Sequence, residues 1–133
     1  MKSKKPGAGF VVYKNFGDVN KILVLLKPNG NFDLPKGRSD GSDLDRFNTA
    51  QRECYEETNI FITKSDLITN LSYHDGRLTI FCAATDREPT LAVNPVTNTK
   101  EHVAYFWMDP YVAAEILPKY LSEAVKWSLE QCR

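Results

Sequence analysis

Between residues 52 and 57 the chain reads Arg-Glu-Cys-Tyr-Glu-Glu, and this run restricts what can be built around it. The surrounding pattern predicts a helix from about Leu44 to Thr58, with Ser42 or Asp43 as cap and Asp45 in the first turn. Leu44, Phe47, Ala50 and Cys54 recur at three- and four-residue spacing as its apolar face. Asn59 follows, a residue that tolerates the left-handed conformation closing a helix. On such a helix Glu53, Glu56 and Glu57 share one side, because residues three and four apart are neighbours. Like charges so placed repel. A solvated acidic face is the bland account, yet these acids crowd the C-terminal end, where the helix dipole disfavours them. A hard cation such as Mg²⁺ or Mn²⁺ would relieve the repulsion through oxygen ligands. Arg52, one turn before Glu56, can orient that carboxylate.

The rest of the chain supplies strands and helices around this segment. Gly9–Tyr13, Lys21–Leu26 and Phe32–Leu34 read as strands, with a turn from Asn15 to Asn20. Lys36 to Asp43 is rich in Gly, Ser and Asp and reads as a loop. Two strands are expected near Leu67–Tyr73 and Leu78–Ala84, joined by a turn at His74–Arg77. Asp86 to Lys100 is the longest polar stretch and a candidate lid. His102–Trp107 reads as a strand, Asp109-Pro110 as a helix start, and about Pro118–Gln131 as a last helix. Strands mixed with helices before and after them imply an α/β fold, a sandwich with a mixed sheet, in one domain over residues 1–133.

Composition narrows the partners. Lys+Arg (17) equals Asp+Glu (17), which leaves no global field to hold duplex nucleic acid, so an anionic ligand must be met locally. No apolar run is long enough for a membrane span, and the basic N-terminus does not read as a signal peptide. Cys54, Cys82 and Cys132 lack metal-like spacing and read as free thiols of a cytoplasmic protein, a monomer or weak dimer. His74 and His102 are not at metal-ligand spacing either, which argues against zinc.

The stretch from Gly37 to Ile60 resembles the signature of the Nudix hydrolases: Gly, five residues, Glu, seven residues, then Arg-Glu-apolar-x-Glu-Glu-x-Gly-apolar. Arg52 to Thr58 matches the core residue by residue, and Ile60 matches the last apolar position. Leu34-Pro35-Lys36-Gly37 and the Glu101-His102 pair before a Tyr/Trp strand are similar to dinucleoside polyphosphate (Ap4A-type) hydrolases. Two departures stand out. Asn59 replaces the motif glycine, and the spacing from Gly37 to Arg52 is one residue too long, with no glutamate in the loop. Counted back from Arg52 the missing acid falls on Leu44, and by loop pattern on Ser42 or Asp43; Asp43 and Asp45 are the possible substitutes.

The resemblance implies hydrolysis of a nucleoside diphosphate derivative, with a dinucleoside polyphosphate as the expected substrate. Glu53, Glu56 and Glu57, helped by the Gly37 backbone, would bind Mg²⁺ or Mn²⁺, and Glu101 is a further ligand and candidate base. Lys36, Arg38 and Lys119 are candidate phosphate contacts, and Tyr73 and Phe81 candidate base-stacking rings. A diphosphoinositol polyphosphate or capped RNA is a rival substrate, and a silent nucleotide-binding module is a rival of another class.

Overall fold

The computed structural model describes residues 6–94, 97 and 99–132. Its centre is β1 (Gly7–Asn15), buried along most of its length and covered on both faces. Alternation sends Ala8, Phe10 and Val12 to one side and Val11 and Tyr13 to the other. β1 pairs antiparallel with β2 (Asn20–Leu26) and parallel with β6 (Leu78–Ala84). β3 (Phe32–Asp33) and β9 (Ala104–Met108) pair with β2, β4 (Lys36–Arg38) with β1, and β5 (Tyr73–Asp75) with β6, giving a mixed seven-stranded sheet. A separate ribbon of β7 (Val93–Asn94) and β8 (Thr99–Lys100) precedes β9.

One face of the sheet packs on α1 (Arg46–Thr58), through Phe47, Ala50 and Cys54. The other packs on α2 (Pro110–Ile116) and α3 (Lys119–Gln131), through Ala113, Leu117, Leu121, Ala124 and Val125. The expected α/β sandwich with a mixed sheet is the observed architecture. No helix among the described residues is long and apolar enough to cross a membrane.

Several boundaries moved for identifiable reasons. α1 starts at Arg46 rather than near Leu44, because Asp43 is occupied by Arg52 and the capping role passes to Asp45, whose Oδ1 accepts from the Asn48 amide at 2.8 Å. Leu44 is consequently outside the helix and 91% exposed instead of on its apolar face. Lys36–Arg38, expected in a loop, forms β4 because Gly7, Ala8 and Gly9 pair with it. That pairing requires glycine at position 9, where a Cβ would lie 2.3 Å from the Pro35 carbonyl oxygen.

The strand expected over Leu67–Tyr73 reduces to a bridge at Leu67 and the short β5, whose turn is Gly76-Arg77, with Gly76 at φ 60°. A single turn of 3₁₀ helix at Lys64–Asp66 and the β7–β8 ribbon were not foreseen. The strand expected from His102 begins at Ala104.

Asn59 closes α1 at φ 63°, and its amide donates to the Tyr55 carbonyl. Asn59→Gly should therefore keep or raise stability in a denaturant titration, whereas Asn59→Val should cost about 1–2 kcal/mol. Equal stability of the two would mean that the left-handed residue does not set the helix end.

Candidate active site

The C-terminal half of α1, the strand β4 and the segment before β9 converge on one acidic cluster. Glu57 is buried, and its Oε1 accepts from the Lys36 amide at 3.0 Å. Glu53 is half-buried against Gly37: a Cβ at that glycine would lie 2.0–2.5 Å from the Glu53 carboxylate. Only glycine leaves room for it. Glu101 comes from the segment after β8, and its carboxylate oxygen lies within 4.8 Å of a Glu57 oxygen and of a ring nitrogen of the adjacent His102.

Glu56 stands apart, exposed on the outer side and held by Arg52 at 3.1 Å. The structure thus gathers Glu53, Glu57, Glu101 and Gly37, and leaves Glu56 at their rim.

Arg52 organises this region. Its Nε and Nη2 donate to the two carboxylate oxygens of Asp43, both at 3.0 Å. Nη1 donates to Glu53 at 3.0 Å and to Glu56, and Nη2 also donates to the Arg38 carbonyl at 2.9 Å. The hydrogen bonds from Arg52 hold the Asp43 carboxyl well below the usual carboxylate range, against a smaller opposing effect of burial. The two candidate loop acids therefore divide the work: Asp43 grips Arg52, and Asp45 caps the helix.

Two further residues were not among the expected site. His102, 3% exposed, donates from Nε2 to Asp33 Oδ2 at 3.2 Å, and its Nδ1 lies 4.0 Å from Glu57 Oε2. Burial works against a charge on Asp33, but the His102 hydrogen bond and the nearby Lys36 and Lys27 outweigh it and hold its carboxyl below the ordinary value. Only the adjacency of His102 to Glu101 hinted at this in the sequence; Asp33 gave no signal, since its role depends on sheet pairing.

Two adjoining clefts lie nearby, the first of which reaches the cluster at Lys36 and Gly37. One, of 320 Å³, is lined by Gly7, Lys36, Gly37, Arg38, Arg77 and Tyr120, among others. The other, of 430 Å³, is lined by Tyr73, Asp75, Lys119, Tyr120 and Glu123. Lys36 reaches Asp33 at 3.2 Å and lies 5.9 Å from the centre of the Tyr120 ring. The expected contacts Lys36, Arg38, Tyr73 and Lys119 therefore face these clefts. Phe81 does not: it packs edge-on against Phe47 and beside Phe10 in the core under α1, because its place in β6 points it to that face. Tyr120, not expected, is the aromatic that takes part in both clefts. The Cys54 thiol is buried and pushed up to about 12 by that burial, as befits a small core residue.

A NUDIX domain family model matches residues 3–127. The chain belongs to the NUDIX family. The fold is shared with solved structures at low sequence identity. A Caenorhabditis elegans Ap4A hydrolase in a binary complex is 23% identical, with a TM-score of 0.67 and coverage of 90% of this chain and 91% of that one. A MutT protein from Methanosarcina mazei Go1 is 17% identical, with a TM-score of 0.65 and 99% coverage of each chain. The Escherichia coli dihydroneopterin triphosphate pyrophosphohydrolase is 19% identical, with a TM-score of 0.67 and coverage of 91% and 92%. No curated protein sequence matches. Family membership makes the chain a hydrolase of phosphorus-containing anhydrides, a pyrophosphohydrolase of nucleotide derivatives.

The donor set suits a hard divalent cation, since buried carboxylates with no cation among them are strained electrostatically. Burial, opposed by the Lys36 amide and reinforced by the charges of Glu101, Asp33 and Glu53, pushes the Glu57 carboxyl up to about 9. Glu53 is raised too, by burial, against the neighbouring Arg52 charge. Between about pH 5 and pH 9 the folded chain accordingly keeps a proton on Glu57 that the unfolded chain has released. Metal-free stability should fall as pH rises through that window, by at most about 1.4 kcal/mol per pH unit. Melting curves should show this slope, and added Mg²⁺ or Mn²⁺ should flatten it most at the alkaline end. A flat metal-free profile would contradict a protonated Glu57.

Proposed function

We propose that this chain, as a single domain over residues 1–133, is a Mg²⁺- or Mn²⁺-dependent pyrophosphohydrolase of a dinucleoside polyphosphate or a closely related nucleotide pyrophosphate. The observation that carries the reading is the placement of the acidic cluster of Glu53, Glu57 and Glu101 directly beside the cleft lined by Lys36, Gly37, Arg38 and Tyr120. Two adjoining clefts that share Tyr120 suit a ligand with two ends, each carrying a ring. The C. elegans protein of similar fold is named for Ap4A hydrolysis, which agrees with this substrate class.

Glu53, Glu57 and Glu101, with the Gly37 backbone, would hold the cation, and Glu56 would support it from the rim. When bound, such an ion neutralises phosphate charge and acidifies a coordinated water. The remaining tasks fall to the chain. Arg52 fixes the Glu53 and Glu56 carboxylates in orientation. Lys36, Arg38 and Lys119 line the clefts and would meet phosphate oxygens, and Tyr73 and Tyr120 would offer stacking surfaces for a base. Glu101 is exposed, which suits it to accept the proton of a water attacking phosphorus in line. The phosphoanhydride P–O bond then breaks and the departing phosphate oxygen carries the charge away, with no covalent intermediate on the protein.

The direct test incubates the chain with Mg²⁺ or Mn²⁺ and a panel of dinucleoside polyphosphates, diphosphoinositol polyphosphates and capped RNA, with phosphatase-coupled phosphate release as readout. Dinucleoside polyphosphates should turn over fastest. Glu57→Gln should lower kcat by about a hundred-fold or more while the fold is kept. Nucleotide binding without turnover on any substrate would instead identify a silent binding module.

Tyr120→Ala should raise KM by about ten-fold with a smaller change in kcat, as expected for lost base stacking. An unchanged KM would remove Tyr120 from the substrate site.

A further inference from the structure

We propose that His102 is itself a ligand of the bound cation, so that the centre is a mixed carboxylate–imidazole site that favours Mn²⁺ over Mg²⁺. This inference rests on the hydrolase reading above and deepens it. Three observations point the same way. One ligand atom each from Glu57, Glu101 and His102 lies within 4.8 Å of the others. Two atoms bound to one ion at about 2.1 Å lie roughly 3–4 Å apart, so small side-chain movements would bring all three onto one ion. His102 Nδ1 is already 4.0 Å from Glu57 Oε2.

The second observation is the orientation of the ring. Nε2 lies 3.2 Å from the Asp33 carboxylate, which can only accept, and this leaves Nδ1 facing the Glu57 side as the nitrogen available to a cation. A carboxylate, an imidazole and then a cation is the usual arrangement in which an outer partner orients a histidine ligand and raises its basicity. The third is burial. Both Asp33 and His102 are almost wholly enclosed, with side-chain exposures of 5% and 3%, so the ring cannot turn outward to solvent. Glu101, by contrast, is exposed and gives the ion an entry path.

A nitrogen donor changes metal choice. Mg²⁺ favours oxygen ligands, whereas imidazole binds transition ions more readily, and affinity for them rises above that for Mg²⁺. The chain has two histidines, and His74 lies on β5, bonded to Ser72 and Thr79. The two can therefore be told apart.

The test is pulsed electron paramagnetic resonance of the full chain loaded with Mn²⁺, at natural abundance and with ¹⁵N-histidine. A histidine nitrogen coupling should appear, shift with the label, persist in His74→Gln and vanish in His102→Gln. By calorimetry, His102→Gln should weaken Mn²⁺ about ten- to a hundred-fold and Mg²⁺ less, and Asp33→Asn should weaken Mn²⁺ about ten-fold. If His102→Gln does not fold, the labelled wild-type spectrum still decides the point. Bound Mn²⁺ with no histidine coupling, in a protein that hydrolyses its substrate, would overturn the ligand role and leave the hydrolase reading intact. Failure of Mn²⁺ and Mg²⁺ to bind at all would overturn both.

Discussion

The Arg52 guanidinium joins three parts of the chain that would otherwise repel or drift apart. It clamps Asp43 through two hydrogen bonds, donates to the Arg38 carbonyl at the end of β4, and holds Glu53 and Glu56 on its own helix. The planar fork with five donors makes this possible, and a lysine ammonium could not reproduce the geometry. Its charge offsets part of the repulsion among the carboxylates, and its direction fixes where they point. Gly37 completes the arrangement from the other side, since the space a side chain would fill is taken by the Glu53 carboxylate.

The segment after β6 secures the far end of the same helix. The Thr90 amide donates to the Thr58 carbonyl at 2.8 Å, and the Ala92 amide to that of Glu57, satisfying carbonyls that the helix end leaves without partners. Glu88 anchors the segment by pairing with Lys14 and accepting hydrogen bonds from Tyr105 and Trp107. The first half of the stretch expected to act as a lid is therefore strapped to the sheet and to α1. It leads into the β7–β8 ribbon and on to Glu101 and His102, while residues 95, 96 and 98 lie outside the described residues.

Much of the fold was legible because it depends on local periodicity. The buried strands β1, β2 and β6, the helix α1 with its Asn59 stop, and the last helix α3 all followed from apolar spacing and end signals. What was not legible depends on long-range pairing or on competition for one side chain. Lys36–Arg38 looks like a loop until β1 pairs with it. Phe81 looks like a ligand-facing aromatic until the register of β6 turns it between Phe10 and Phe47. Asp43 looks like a helix cap until Arg52 claims it, and the helix start then shifts to Asp45.

The acidic run of Arg52 to Glu57 determined by itself that several carboxylates would share one helix face, because the helical repeat is a local property. The same run, with its flanking residues, determined the family. Only the tertiary structure decided which acids are buried together and what stands behind them. Asp33 and His102 are 69 residues apart, and they meet because β3 and β9 both pair with the end of β2, Leu25 facing Asp33 on one side and Tyr105 on the other. That pairing is fixed by sheet register and by burial of Leu25 under α1, not by any pattern within either segment. It turns a helix with three acids into a site with a buried histidine at its back and the exposed Glu101 at its mouth.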